Sequence, residues 1–278
     1  MTSILSPASA TLLILALYAF AGVFGMAGMV LKKPGIRLVA ASVATVGFIL
    51  QTAILFMGFH GQTMGGLSVG AYLQMLAWFM VLAGIALWLV IRQEVPLLFG
   101  SLLSLLLYGL SAGSLESVVR LPQSLHAPFY ALHIGALYTS LALITIAFAA
   151  GCLFLYLDGR IKRKKPIPSF IADIPALNIL DRLNAIGTAV GFPLFTIGIV
   201  CGLFYSKSVY GATLTGDPKE LVSLFVWALF GYLFYSRASR GWYGRKPARL
   251  MVLIFLLCLF SIVFINFFMQ SHHAFARV

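Results

Sequence analysis

"ALHIGALYTSLALITIAFAAGCLFLYLDGRIKRKKP", Ala131 to Pro166, decides the fold class. No Asp, Glu, Lys or Arg interrupts it between Ala131 and Leu157, after which Arg160, Lys162, Arg163, Lys164 and Lys165 follow almost without a break. Hydrocarbon about 30 Å thick is crossed by roughly 20 apolar helical residues, so the first part reads as a membrane span. The basic run that ends it reads as a stop-transfer anchor.

Outward from this stretch, the whole chain has the same character. Hydrophobic residues make up 61% and charged residues 9% of 278 residues, with a mean hydropathy of +1.01. A chain this apolar cannot hide its surface inside a water-soluble globule, so it is read as an integral membrane protein. The same ruler finds eight apolar segments, near residues 9–31, 36–59, 71–91, 96–113, 129–157, 184–205, 219–236 and 248–269. Their spacing is helical and lacks the alternation of an outer-membrane barrel. No charged, short apolar and small-residue signal precedes the first segment, which is therefore kept as a span. The expected fold class is all-α: a polytopic transmembrane helical bundle of about eight spans, forming a single integral membrane domain over residues 1–278.

Lys and Arg are retained on the cytoplasmic side, and their distribution predicts the orientation. With the N-terminus outside, fifteen of the nineteen basic residues fall in inner loops, and Arg120, Lys207, Lys219 and Arg277 lie outside. Both termini are then on the outer, non-cytoplasmic face. The net charge of +12 follows from this topology at a surface of anionic lipid. It does not imply nucleic acid, for which no basic reading element exists. All five histidines fall on the outer side: His60, His126, His133, His272 and His273.

The residue inventory excludes several chemistries. Cys152, Cys201 and Cys258 are dispersed through the spans, with no Cys-x-x-Cys-His, which argues against covalent haem attachment, a thiol couple or structural zinc. Few ionisable residues sit at mid-membrane depth, so a proton relay or permease has little to work with. Glycines such as those of "GVFGMAG", residues 22–28, read as helix-packing sites. No catalytic triad or Walker motif is visible. Imidazole on the outer face remains, with three ordinary uses: interfacial hydrogen bonding, divalent metal binding, or ligation of haem iron. For metal, only Glu116, Asp217 and Glu220 accompany it outside; for haem, 23 Phe, 11 Tyr and 4 Trp could supply a wall. Arg120, Lys207 and Lys219 are either partners for propionates or ordinary loop charges. In "GDPKE", residues 216–220, Asp217 is expected to cap a helix, Pro218 to take its first position, and Glu220 to complete something close to a capping box.

Three stretches together carry a resemblance. "LDRLNAIGTAVGFPLFTIGIVCG" from Leu180, "GDPKELVSLFVWALFGYLFYSR" from Gly216 and "INFFMQSHHAF" near the end resemble the C-terminal half of the cytochrome c assembly family, the CcsA and HemX type proteins. The stretch from Leu125 is similar to that family's preceding His-bearing helix, and the likeness covers about residues 70–275 in span order. The resemblance implies haem handling at the outer face in cytochrome c biogenesis, by a multi-pass protein of the bacterial inner membrane. Haem b would be held without covalent attachment, by His133 and His273 as axial ligands, with His272 as a register alternative. Asp217, Lys219 and Tyr210 would belong to the rim of the haem platform.

Two departures bear on that reading. "YSKSVYGATLTGDPKE", residues 205–220, has Tyr205 and Tyr210 but no Trp where haem exporters carry several, which weakens stacking. Tyr235 stands where such members have a His in the seventh span. Both fit the shorter HemX-like and YpjD-like branch. The expected role is therefore an assembly or haem-handling factor rather than a stand-alone catalyst, with haem and other assembly subunits as partners. The alternative is a HemX-like regulator or scaffold that retains no haem and influences haem synthesis through its inner loops. In that case the 158–183 loop either docks a haem-biosynthesis enzyme or lies on the lipid surface.

Overall fold

The computed structural model describes residues 7–61, 67–112, 118–119, 127–168 and 175–262. Eight helices run through them: α1 (Pro7–Val30), α2 (Pro34–Gly61), α3 (Val69–Ile91), α4 (Val95–Ala112), α5 (Ala127–Lys162), α6 (Leu177–Tyr210), α7 (Pro218–Arg240) and α8 (Arg245–Phe260). Six of these, α1, α2, α3, α5, α6 and α7, are long and apolar enough to cross a membrane. Over the described residues α4 has 18 and α8 has 16. At a rise of about 1.5 Å per residue both fall short of hydrocarbon about 30 Å thick. The architecture is the polytopic helical bundle that the composition predicts.

The helices fall into two compact units. The first holds α1 to α4 and two antiparallel two-residue strands, β1 (Leu67–Ser68) and β2 (Val118–Val119), paired Leu67 to Val119 and Ser68 to Val118. Its core is Ile14, Tyr18, Ala21, Ala40, Ala41, Ala44, Ala77, Val81, Leu97, Leu98 and Tyr108. The alanines let the helix backbones approach, which is how helices gain dispersion energy where lipid gives no hydrophobic drive. Polar side chains inside this unit are paired. Tyr18 donates to Gln51 Oε1 at 2.6 Å, Gln51 donates to the Gln74 carbonyl at 2.9 Å, and Trp78 Nε1 donates to Thr52 at 2.8 Å.

The second unit is built on the α5–α6 hairpin, with α7 and α8 packed against it. Small residues again allow contact with backbone. Ser140 Oγ donates to the Gly191 carbonyl at 2.8 Å, and Asn184 Nδ2 donates to the Ala147 carbonyl at 3.2 Å. Ile144, Phe195, Phe230, Leu233, Met251 and Ile254 fill the core.

Two expectations change in this unit. The connection expected at 158–183 is shorter, because α5 runs on to Lys162 and α6 begins at Leu177. An ion pair from Lys162 to Asp158, one turn back at 3.3 Å, supports the last turn of α5. "LNILDRL" is helical because Leu180, Asp181 and Leu183 are buried against the unit. Glu220 also does not close an ordinary capping box. Asp217 accepts from the Lys219 amide at 2.8 Å as expected, but Glu220 reaches further back, to the Thr215 amide at 2.8 Å and hydroxyl at 2.9 Å. Gly216, at φ +78°, turns the chain so that Thr215 faces the carboxylate.

Helix ends carry a further pattern. Lys32, Arg92 and Lys164 have φ of 55°, 59° and 50°, a left-handed conformation that favours glycine, and they lie one or two residues beyond the ends of α1, α3 and α5. At the end of α5, the Lys165 amide bonds the Arg160 carbonyl and the Lys164 amide the Ile161 carbonyl, both at 3.0 Å, a Schellman turn. A cation at this end meets the negative pole of the helix, which offsets part of the backbone cost. The cation distribution of the sequence predicts each of these three helix ends to be cytoplasmic.

Candidate functional site

His133 sits in the second turn of α5, half-buried against the last turns of α6. Its Nδ1 lies 2.7 Å from the Gly198 carbonyl oxygen. A carbonyl can only accept, so Nδ1 carries the proton, and in the neutral ring Nε2 is the nitrogen with the lone pair. Packing explains why α6 allows this. A Cβ at Gly202 would lie 2.6 Å from His133 Cε1 and 2.8 Å from Nδ1, and one at Gly198 would lie 2.5 Å from Leu137 Cδ2. The Gly198-x-x-x-Gly202 pair is therefore a groove on α6 that seats His133 and Leu137, one turn apart on α5. Beside it, the rings of Tyr130 and Tyr205 approach to 5.5 Å between centroids.

The chain between α6 and α7 joins this end of the hairpin. Gly211, at φ +74°, ends α6 with its amide on the Lys207 carbonyl at 3.1 Å, and Ser206 Oγ holds the Ala212 carbonyl at 3.0 Å. The loop then reaches the α7 cap, where Asp217 is 4% exposed and Lys219 occupies the first turn. His133, Asp217 and Lys219 thus belong to the same end of the second unit, the first held by α6 and the other two built into the start of α7. Tyr210 is the last residue of α6, and its side chain lies outside the described residues. The same holds for the side chain of His60 in α2, and for His126, His272 and His273 altogether. Among the described residues no group of three or more His, Cys, Asp or Glu could hold a metal ion. Cys201 and Cys258 are buried and Cys152 partly so, all three as free thiols.

At the opposite end of this unit lies a cluster that sequence reasoning missed. Arg237 of α7 bonds Asp181 Oδ1 at 3.1 Å and Asn184 Oδ1 at 2.7 Å on α6, and the Gly244 amide before α8 bonds Asp181 Oδ1 at 3.0 Å. Three helices are tied there by one carboxylate. The available signal was Asp181 itself, a charged residue set among Leu180, Leu183 and Asn184 at helical spacing in a chain with seven acidic residues. The Gly198 and Gly202 pair was equally legible as a four-residue glycine spacing.

The donor chemistry at His133 fits an imidazole ligand for haem iron. A backbone carbonyl fixes the ring and its tautomer, as the outer partners of ligating histidines do.

Residues 67–273 match the family described as Cytochrome C assembly protein. The chain is 29% identical over 161 residues to the "Cytochrome c biogenesis protein CcsA" of Chlamydomonas reinhardtii, covering 58% of this chain and 44% of that protein. It is 35% identical over 96 residues to the protein of that name from Gloeobacter violaceus, covering 34% and 28%. Over 99 residues it is 34% identical to that of Pyropia yezoensis, covering 36% and 31%. The chain thus spans less than half the length of these curated relatives.

Proposed function

The chain belongs to the cytochrome c assembly protein family, and from that premise we propose that it handles haem at the outer face of a bacterial inner membrane during cytochrome c biogenesis. His133 and His273 are the proposed axial ligands of haem b, with His272 as the alternative in the C-terminal segment. Asp217, Lys219 and Tyr210 form the proposed rim. The observation that supports this reading is the bond from His133 Nδ1 to the Gly198 carbonyl, which fixes the ring on α6 and leaves Nε2 as the unprotonated nitrogen of the neutral imidazole.

Each residue has a physical task in this reading. Gly198 and Gly202 let the imidazole lie against helix backbone, and the Gly198 carbonyl raises its basicity. Lys219 supplies positive charge beside the platform, and Asp217 fixes the start of α7 through the Lys219 amide. Haem held there would offer its vinyl groups to thiols of a partner, Cys152, Cys201 and Cys258 being dispersed along α5, α6 and α8. Other subunits of cytochrome c assembly are the proposed partners. Both chain termini lie outside in this scheme, as the cation distribution requires.

Purified full-length protein supplied with haem tests the assignment. It should show a low-spin bis-imidazole absorption spectrum that His133→Gly and His273→Ala each abolish, with added imidazole restoring it in His133→Gly. An identical spectrum in all three proteins would remove both ligands from the proposal.

A further inference from the structure

We propose that the basic end of α5 is a binding site for the phosphate group of an anionic phospholipid. A surface cleft of about 340 Å³ opens there, with the cations Arg160, Arg163, Lys165 and Arg245 around it and Leu155 and Tyr156 along its apolar side. In the sequence this run stands as a stop-transfer anchor inside a loop expected either to dock a haem-biosynthesis enzyme or to lie on the lipid surface.

The cleft is a built structure rather than a string of loose charges. Arg160 is held by three hydrogen bonds. Its Nε and Nη2 both donate to the Pro166 carbonyl, the former at 2.9 Å, and its Nη1 donates to the Tyr156 hydroxyl at 3.1 Å. The guanidinium also lies 5.6 Å from the centroid of the Tyr156 ring. Two of its five N–H groups remain for an outside acceptor. Arg245, at the start of α8, is held on Asp158 at 2.8 Å. The Schellman turn, with Lys164 at φ +50°, folds the following chain back so that Lys165 joins Arg160 across the opening. Two cations are therefore fixed in advance, which lowers the ordering cost of binding, while the exposed Arg163 and Lys165 can close over a ligand.

Charge selects an anion. Asp158 is shared by Arg245 and Lys162, so a single carboxylate faces five cations counting Lys162. Guanidinium groups match phosphate oxygens in a forked geometry. Position then selects the source of the phosphate. The cleft begins at Leu155 and Tyr156, where the apolar length of α5 gives way to its basic end, on the face assigned to the cytoplasm. A headgroup phosphate lies at that depth with its glycerol against apolar side chains, and anionic lipid is concentrated in that leaflet. Inorganic phosphate offers the same oxygens without the apolar part.

Full-length protein in mixed micelles of phosphatidylglycerol and phosphatidylcholine, with retained lipid counted by native mass spectrometry, tests the site. Wild type should retain phosphatidylglycerol in preference to phosphatidylcholine by about tenfold. The double variant Arg163→Gln/Lys165→Gln, at exposed side chains and checked for an unchanged melting temperature, should lose most of that preference. Lys32→Gln/Lys33→Gln, which removes the same charge outside the cleft, should keep it, and millimolar inorganic phosphate should leave it unchanged. Equal losses in the two double variants, or no preference in wild type, would overturn the site. Displacement by inorganic phosphate would overturn the lipid and reassign the cleft to a soluble anion.

Discussion

Arg237 and Asp181 are joined by two hydrogen bonds, of 3.1 Å and 3.4 Å, between residues 56 positions apart in the sequence. Their side chains are 11% and 10% exposed, so neither charge can be solvated if the other is removed. Taking away one member of a buried pair costs about 3–5 kcal/mol, much more than the pair contributes over an apolar substitute. Asp181→Ala should therefore lower the unfolding temperature of detergent-solubilised protein sharply. Adding Arg237→Met should recover part of the loss. A melting temperature unchanged by Asp181→Ala would mean that the three helix ends are not held by this carboxylate.

The groove on α6 separates a positioning effect from a general packing one. Gly202→Ala introduces a Cβ 2.6 Å from the His133 ring, whereas Gly198→Ala meets the flexible end of Leu137 at 2.5 Å. Overpacking of either kind costs about 1–3 kcal/mol. Haem absorption in reconstituted protein should shift or vanish in Gly202→Ala and persist in Gly198→Ala, once both are compared at temperatures where they remain folded. The reverse ranking would show that the ring is not the group positioned by this helix.

At the start of α7, Asp217 serves as N-cap and Glu220 anchors Thr215. Asp217→Ala should cost about 1 kcal/mol by releasing the Lys219 amide, and Asp217→Asn should cost less because the amide oxygen still accepts. Hydrogen exchange at the Lys219 amide would report this directly. Faster exchange in Asp217→Ala than in Asp217→Asn is expected, and equal rates would place the amide's partner elsewhere.

In the first unit, Gln51 is fully buried and accepts from Tyr18 while donating to the Gln74 carbonyl. Gln51→Leu leaves the buried Tyr18 hydroxyl without its acceptor, a cost of about 1–3 kcal/mol, while the Gln74 carbonyl stays within the α3 ladder. Pairing it with Tyr18→Phe removes that orphan and should return part of the stability. A double-mutant cycle on thermal unfolding measures the coupling, and strict additivity would contradict the bond.

Sequence alone determined the fold class, because uncharged runs such as Ala131–Leu157 can meet lipid only as helices that satisfy their own backbone. It also carries an expectation of orientation, since Lys32, Arg92 and Lys164 fall in segments that the cation distribution predicts to be inner loops. His133 and Asp217 were legible as rare polar residues at span ends, and Asp217 as a cap from its local spacing. The tertiary structure decided what spacing cannot carry: that Asp181 is a buried partner of Arg237 within a helix, where the sequence suggested a loop, and that Gly198 faces a histidine 65 residues away. It also decided that Glu220 bonds Thr215, through the turn at Gly216. Local patterns fix which way a helix faces and where it ends, but only packing brings two distant helices close enough for a carbonyl to choose one nitrogen of an imidazole.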